Sequence, residues 1–192
     1  GQFKKGPIPV LECIGYTDMA LRKFFESAAK TSWFRNTLFV ISADHSTQAF
    51  SREYQNARGD VAIPIVLYHP GDSTLRGVDS SGVIQQIDLM PGILSYLHYQ
   101  KPYLAFGEPF TGNKRLNFAV TPGNDYRWIE NEYLLVFDGK QSKALFNYRT
   151  DRFLEHNLLE EKKDTALQME RHLKAFLQQY NNRLIKNNLV VK

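Results

Sequence analysis

Cysteine is almost missing from this chain: Cys13 is the only one. An intrachain disulfide is therefore excluded, and with it any fold stapled by crosslinks. One thiol neither marks nor excludes an oxidising compartment. Long apolar runs are missing too. No stretch approaches the roughly 20 residues of a membrane-spanning helix, and no signal-peptide pattern is visible. Charge of one sign is scarce: 24 Lys and Arg against 20 Asp and Glu leave a net charge of +4. The excess is scattered towards the C-terminus rather than gathered in a patch. It gives weak support for anionic partners and none for nucleic acid. An initiating Met is absent, since the chain begins Gly1-Gln2-Phe3-Lys4, and we expect a processed or truncated chain. Repeats and low-complexity segments are lacking. What remains is 43% hydrophobic and 23% charged over 192 residues. That composition suits one globular domain with a sizeable core.

The most informative positive feature is the dipeptide Asp44-His45. It ends the apolar run Thr37-Leu-Phe-Val-Ile-Ser-Ala43. A β-branched and aromatic run closed by two metal-type side chains reads as a buried strand delivering ligands at its carboxyl end. Open α/β sheets place their chemistry at that edge. A carboxylate and an imidazole suit Zn, Mn or a similar divalent ion. The alternative is an ordinary strand-end turn with Asp44 capping and His45 on the surface.

Around that pair the pattern alternates. Thr17 stands where it can cap a helix from Asp18 to about Lys30, with Leu21, Phe24, Phe25 and Ala28 on one face. Residues 63–68 form a second apolar run with Pro64 at its start, closed by the turn residues His69-Pro-Gly-Asp72. Residues 80–86 and 89–97 read as helical, with Asp88 as the cap of the second piece. The first half thus suits a parallel α/β sheet, residues 37–43 and 63–68 being neighbours. Beyond it come four short strands, at 116–120, 126–130, 133–138 and 144–148, with a turn at Asp138-Gly-Lys-Gln141. Short links between consecutive strands argue for an antiparallel meander. An amphipathic helix follows over about 164–186, carrying Leu167, Phe176, Leu177, Tyr180 and Leu184.

Tyr16-Thr-Asp-Met-Ala-Leu-Arg-Lys-Phe-Phe25, followed by Asn36-Thr-Leu-Phe-Val-Ile-Ser-Ala-Asp-His45, resembles the second half of the alkaline-phosphatase/sulfatase superfamily. Ile63-Pro-Ile-Val-Leu-Tyr-His-Pro-Gly71 and Gln86-Ile-Asp-Leu-Met-Pro-Gly-Ile-Leu94 continue the likeness in the family's order. Asp151-Arg-Phe-Leu-Glu-His-Asn-Leu158 resembles its C-terminal segment. Within the superfamily the likeness is nearest to bacterial lipoteichoic-acid-synthase-like phosphoglycerol transferases.

The resemblance implies a partial alkaline-phosphatase-like α/β sheet with flanking helices, a small C-terminal antiparallel sheet and a long C-terminal helix. Residues 1–112 would be the C-terminal portion of the catalytic α/β domain. Residues 113–192 would add the small sheet and helix as part of the same domain. It further implies phosphoglycerol or other phosphate-ester transfer through a covalent intermediate, with a divalent metal polarising the ester oxygen. Asp44 and His45 take the positions of metal ligands. Mn²⁺ is the expected ion, with Mg²⁺, Ca²⁺ or Zn²⁺ as alternatives. Ser46, Thr47 and His69 are candidates for the substrate headgroup, against the plainer reading of loop and turn residues. Arg52 and Arg58 are of a type that pairs with phosphate bidentately.

The nucleophile and remaining ligands are expected in an N-terminal half that this chain lacks, so the chain alone is expected to be inactive. Cys13 is no formylglycine precursor: that motif needs Pro two residues on and Arg four on, where Gly15 and Thr17 stand. The implied setting is the outer face of a bacterial inner membrane, with upstream anchoring helices and a substrate that is lipid-linked. Two alternatives stay open: a sulfatase, weakened by Ser46 where many members carry Gly, and a binding module that kept the fold and lost the site. His98, His156 and His172 lack ligand spacing and read as structural.

Overall fold

The computed structural model describes residues 3, 6–46, 51–75, 77–78, 82–110 and 118–191. They divide into two compact units. The first comprises residues 1–41 and 66–77, the second residues 42–65 and 78–192.

In the first unit, helix α1 runs over Val10–Ala28. It starts two turns before the expected cap. Thr17 lies inside it and donates its hydroxyl to the carbonyl of Cys13 at 3.0 Å. A threonine can satisfy itself on the preceding turn in this way, so a capping residue type did not mark a helix start. Strand β1 covers Phe39–Ser42 and β2 covers Ile65–Tyr68, and the two are neighbours in a two-stranded sheet. Both are shorter than the apolar runs that signalled them. Phe25 packs on Phe39 with ring centroids 5.0 Å apart, and Tyr68 stacks against Phe39 at 6.0 Å. Phe34 closes the cluster at 5.5 Å from Phe39. Such aromatic pairs add to the area they bury. The alternate positions Val40 and Val66 stay exposed.

The second unit holds the larger core. Residues 82–85 are not helical; a short 3-10 turn, Gln86–Asp88, leads into α2, Leu89–Tyr96. Residues 80–81 of the expected helix lie outside the described residues. Strands β3 (Phe118–Thr121), β4 (Tyr126–Glu130), β5 (Tyr133–Phe137) and β6 (Ser142–Asn147) pair antiparallel in chain order. Trp128 faces Val120 on one side and Leu135 on the other in the ladder. Gly139 takes φ +90° between β5 and β6, a value that suits only glycine without strain. Helix α3, Lys163–Ile185, buries Ala166, Met169 and Leu173 against this sheet. Leu134, Leu135, Leu145 and Leu173 have no exposed surface, and Phe118 stacks on Trp128 at 4.8 Å. Among the described residues no helix is long and apolar enough to cross a membrane.

Candidate functional site

The chain leaves β1 at Ser42 and delivers Asp44 and His45 to the rim of a cleft of about 890 Å³ within the second unit. The backbone carrying them is clamped. Gln86 Nε2 donates to the carbonyls of Ala43 at 2.9 Å and Asp44 at 3.0 Å. The neighbouring Gln85 holds the sheet: its Nε2 donates to the Phe118 carbonyl at 3.1 Å, and its Oε1 accepts from the Val120 amide at 3.0 Å. Two adjacent glutamines therefore join the Asp44–His45 loop and the edge strand β3.

Asp88 anchors that joint. It is 1% exposed and accepts from the amides of Gln85 at 3.0 Å and Glu108 at 2.8 Å. Its expected role was the cap of α2, but its carboxylate caps no amide of that helix. It reaches back to Gln85 as half of a capping box, which ties down the turn bearing both glutamines.

The side chains of Asp44 and His45 are 88% and 79% exposed. Asp44 Oδ1 accepts from the His45 amide at 2.9 Å, and Oδ2 lies 3.6 Å from His45 Nε2. His45 Nδ1 lies 2.6 Å from the carbonyl of Ser46. A carbonyl only accepts, so Nδ1 carries the proton, and in the neutral ring Nε2 keeps its lone pair. That hydrogen bond, followed by the charge of Asp44, raises the histidine pKa above its usual value.

The residues fit a divalent ion. Two donors about 2.1 Å from one ion at a roughly tetrahedral angle stand about 3.4 Å apart, close to the 3.6 Å between Asp44 Oδ2 and His45 Nε2. The Nδ1–H···O=C bond is the kind of support that orients ligating histidines. No cluster of three or more metal-type residues occurs among the described residues.

Ser46 lines the cleft, and its hydroxyl donates to the Asp60 carbonyl. Thr47 lies outside the described residues. His69 sits in the first unit with Nε2 3.1 Å from the Arg35 carbonyl. Arg52 pairs with Glu155 and lies 4.6 Å from the Phe153 ring centroid. Arg58 lines the cleft. Sequence reasoning passed over Arg149, Arg152, Asp60 and the two glutamines. Arg149 and Asp60 fall in no motif, Arg152 was only one residue of the C-terminal likeness, and only folding brings the exit loop of β6 to the segment after β1. His172 grips Glu130 at 2.9 Å, a link between α3 and β4.

Comparison with known proteins finds likenesses in sequence and in fold. Residues 10–99, which include Asp44 and His45, match the sulfatase family model. A crystal structure of an alkaline phosphatase superfamily protein from Vibrio parahaemolyticus superposes with TM-score 0.73 at 19% identity, over 100% of this chain and 46% of that one. A crystal structure of Ps i-CgsB in complex with k-i-k-neocarrahexaose superposes with TM-score 0.61 at 17% identity, over 85% of this chain and 41% of that one. A sulfatase candidate from Bacteroides thetaiotaomicron gives 0.59 at 19% identity, over 88% and 42%. No curated protein matches the sequence. Just under half of the chain thus matches the sulfatase family model, and the chain has the fold of these solved structures. It spans less than half the length of these solved relatives.

Proposed function

We propose that the protein containing this chain transfers a phosphate ester group, a phosphoglycerol unit in the first instance, through a covalent enzyme intermediate. Asp44 and His45 supply part of the hold on a divalent ion, Mn²⁺ first. The observation that carries this reading is the exposed Asp44–His45 pair with its donors 3.6 Å apart, set on a cleft and inside the segment that matches the sulfatase model. Bound there, the ion would polarise the ester oxygen. The chain's own residues do the rest: Ser46 fixes the His45 tautomer, and Gln86 fixes the backbone of the pair.

No residue of this chain occupies a recognisable nucleophile motif, and it covers 46% of the Vibrio relative. We therefore assign the nucleophile to sequence outside it. A lipid-linked substrate at the outer face of a bacterial membrane fits the sequence resemblance to phosphoglycerol transferases. Sulfate-ester hydrolysis is the second reading, favoured by the family model itself.

The test is twofold. Mn²⁺ binding to the chain, measured by calorimetry and elemental analysis, should fall at least tenfold in His45→Ala, since one of two ligands is lost. The longer protein, assayed with p-nitrophenyl phosphate and p-nitrophenyl sulfate in Mn²⁺, should turn over the phosphate ester and lose turnover on the same substitution. Turnover of the sulfate alone would select the sulfatase reading. Metal binding without turnover of either would leave a binding module.

A further inference from the structure

We propose that the cleft contains an anion-binding subsite, formed by Arg58 and Arg149 against the ring of Tyr148, which takes the phosphate or sulfate of an ester-bearing ligand. The two guanidinium carbons lie 5.0 Å and 5.8 Å from the Tyr148 ring centroid. All three residues line the cleft that Asp44 and His45 border.

The subsite is built rather than incidental. Tyr148 is 7% exposed, and its hydroxyl donates to the Asn131 carbonyl at 2.5 Å, so the ring is a fixed platform. Arg58 rides on a tied loop. Asn56 Oδ1 accepts from the amides of Arg58 at 3.1 Å and Gly59 at 2.9 Å. Gly59 is required there, because a Cβ would stand 2.1 Å from the Glu53 carbonyl oxygen. Arg149 follows β6 in a turn where Asn147 Oδ1 accepts from its amide at 3.1 Å and from the Thr150 amide at 3.2 Å. Side chains held over an aromatic face lose less freedom on binding.

Charge points to an anion. Asp60 is engaged bidentately by Arg127 at 2.7 Å and 2.9 Å, and Arg152 pairs with Glu53. With those partners included, the described residues of the cleft carry four arginines against three carboxylates, and a divalent ion at Asp44 would add to the excess. Guanidinium forks match phosphate and sulfate oxygens. The volume of about 890 Å³ is near the top of the usual ligand-pocket range of roughly 300–1,000 Å³. Ile63, Val83, Ile84 and Val120 supply an apolar lining for the ligand's body.

The identity of the anion as an ester rests on the proposed function; the binding itself does not, and is tested without metal. Titrate the ¹⁵N-labelled chain in EDTA with glycerol 1-phosphate, with glucose 6-sulfate and with neutral glycerol, following amide shifts. The expected result is saturable shifts at Arg58, Tyr148 and Arg149 with at least one ester and none with glycerol. Arg58→Ala and Arg149→Ala should each weaken binding about tenfold, the size of one charge-assisted hydrogen bond. Arg58→Lys should retain part of it. Lys163→Ala, which removes a cation paired with Glu160 on α3, should not change it. The spectra also report whether each variant is folded. Binding of the sulfate ester alone keeps the subsite and moves the reaction to sulfate esters. Shifts elsewhere, no saturation, equal weakening by Lys163→Ala, or full binding by either arginine variant would overturn the proposal. Failure of the His45→Ala metal test would overturn the proposed function and leave this result standing.

Discussion

Replacing Asp88 by alanine should cost this chain about 3–6 kcal/mol, estimated from two charge-assisted hydrogen bonds at roughly 1.5–3 kcal/mol each. The carboxylate is 1% exposed and accepts from the Gln85 and Glu108 amides. Alanine leaves both donors without it in a place water does not reach, so the loss falls at the severe end of single substitutions. Asp88→Asn keeps one carbonyl acceptor but turns an amide N–H₂ towards the other donor. It should cost roughly 1–2 kcal/mol, about the worth of one neutral bond and its strained neighbour. A urea titration followed by far-UV circular dichroism reads both. With a slope of about 2 kcal/mol/M, the alanine midpoint should fall by about 1.5–3 M. An alanine variant within about 1 kcal/mol of wild type would refute the reasoning. So would an asparagine variant as damaged as the alanine one, because then the retained acceptor counts for nothing.

Three other substitutions test separate parts of the molecule. Leu173→Ala empties a fully buried position between α3 and the meander and should cost about 3–4 kcal/mol by the usual leucine-to-alanine scale, read from the same titration. Asp138 accepts from the Gln141 and Lys140 amides at 2.8 Å each, and these bonds lower its pKa from 3.8 to about 2. A depressed folded pKa means the contribution is full above the unfolded value and is lost as pH falls through the folded one. Asp138→Asn should therefore be less stable at neutral pH, with the gap closing between about pH 4 and pH 2; a constant gap in thermal midpoints across that window would contradict it. Gln86→Ala removes the two bonds to the Ala43 and Asp44 carbonyls. It should weaken Mn²⁺ binding several-fold in calorimetry while moving stability by less than about 1 kcal/mol, since the side chain is exposed.

What the sequence made legible was local. The meander was readable because Tyr126–Glu130 and the turn at Gly139 carry their signals within a few residues. The approximate span of α3 followed from its apolar stripe. The Asp44-His45 pair drew attention because its two side chains are adjacent in the chain, and the structure sets both on the cleft. Boundaries failed where a local rule met a competing one. Thr17 reads as a cap but bonds within α1, and residues 82–85 carry helix-compatible side chains yet pass to Gln85 in extended backbone. The arginine subsite was only half readable. Arg58 stands in a loop near Asp44, but Arg149 lies 91 positions further along, and no spacing rule links residues that only β6 and its exit turn bring to the same cleft.

The run Gln85-Gln86-Ile87-Asp88 shows how a structural element serves a site it does not enter. Asp88 takes a buried carboxylate and uses both oxygens on backbone donors, which fixes the turn. The fixed turn aims two amide side chains in different directions. Gln85 uses both its donor and its acceptor on β3, reproducing a strand's pairing at the sheet edge. Gln86 uses its donors on the two carbonyls that precede the metal-type side chains. The Asp44–His45 loop carries exposed side chains, and its backbone is held by these bonds. Aspartate at 88 is therefore coupled to the placement of Asp44 through two hydrogen-bonded steps. The coupling has a measurable sign: Asp88→Asn, if folded, should lower Mn²⁺ affinity in the same direction as Gln86→Ala, and the double substitution should lose less than the two added together. Strict additivity in that cycle would mean that the turn and the Asp44–His45 loop are independent.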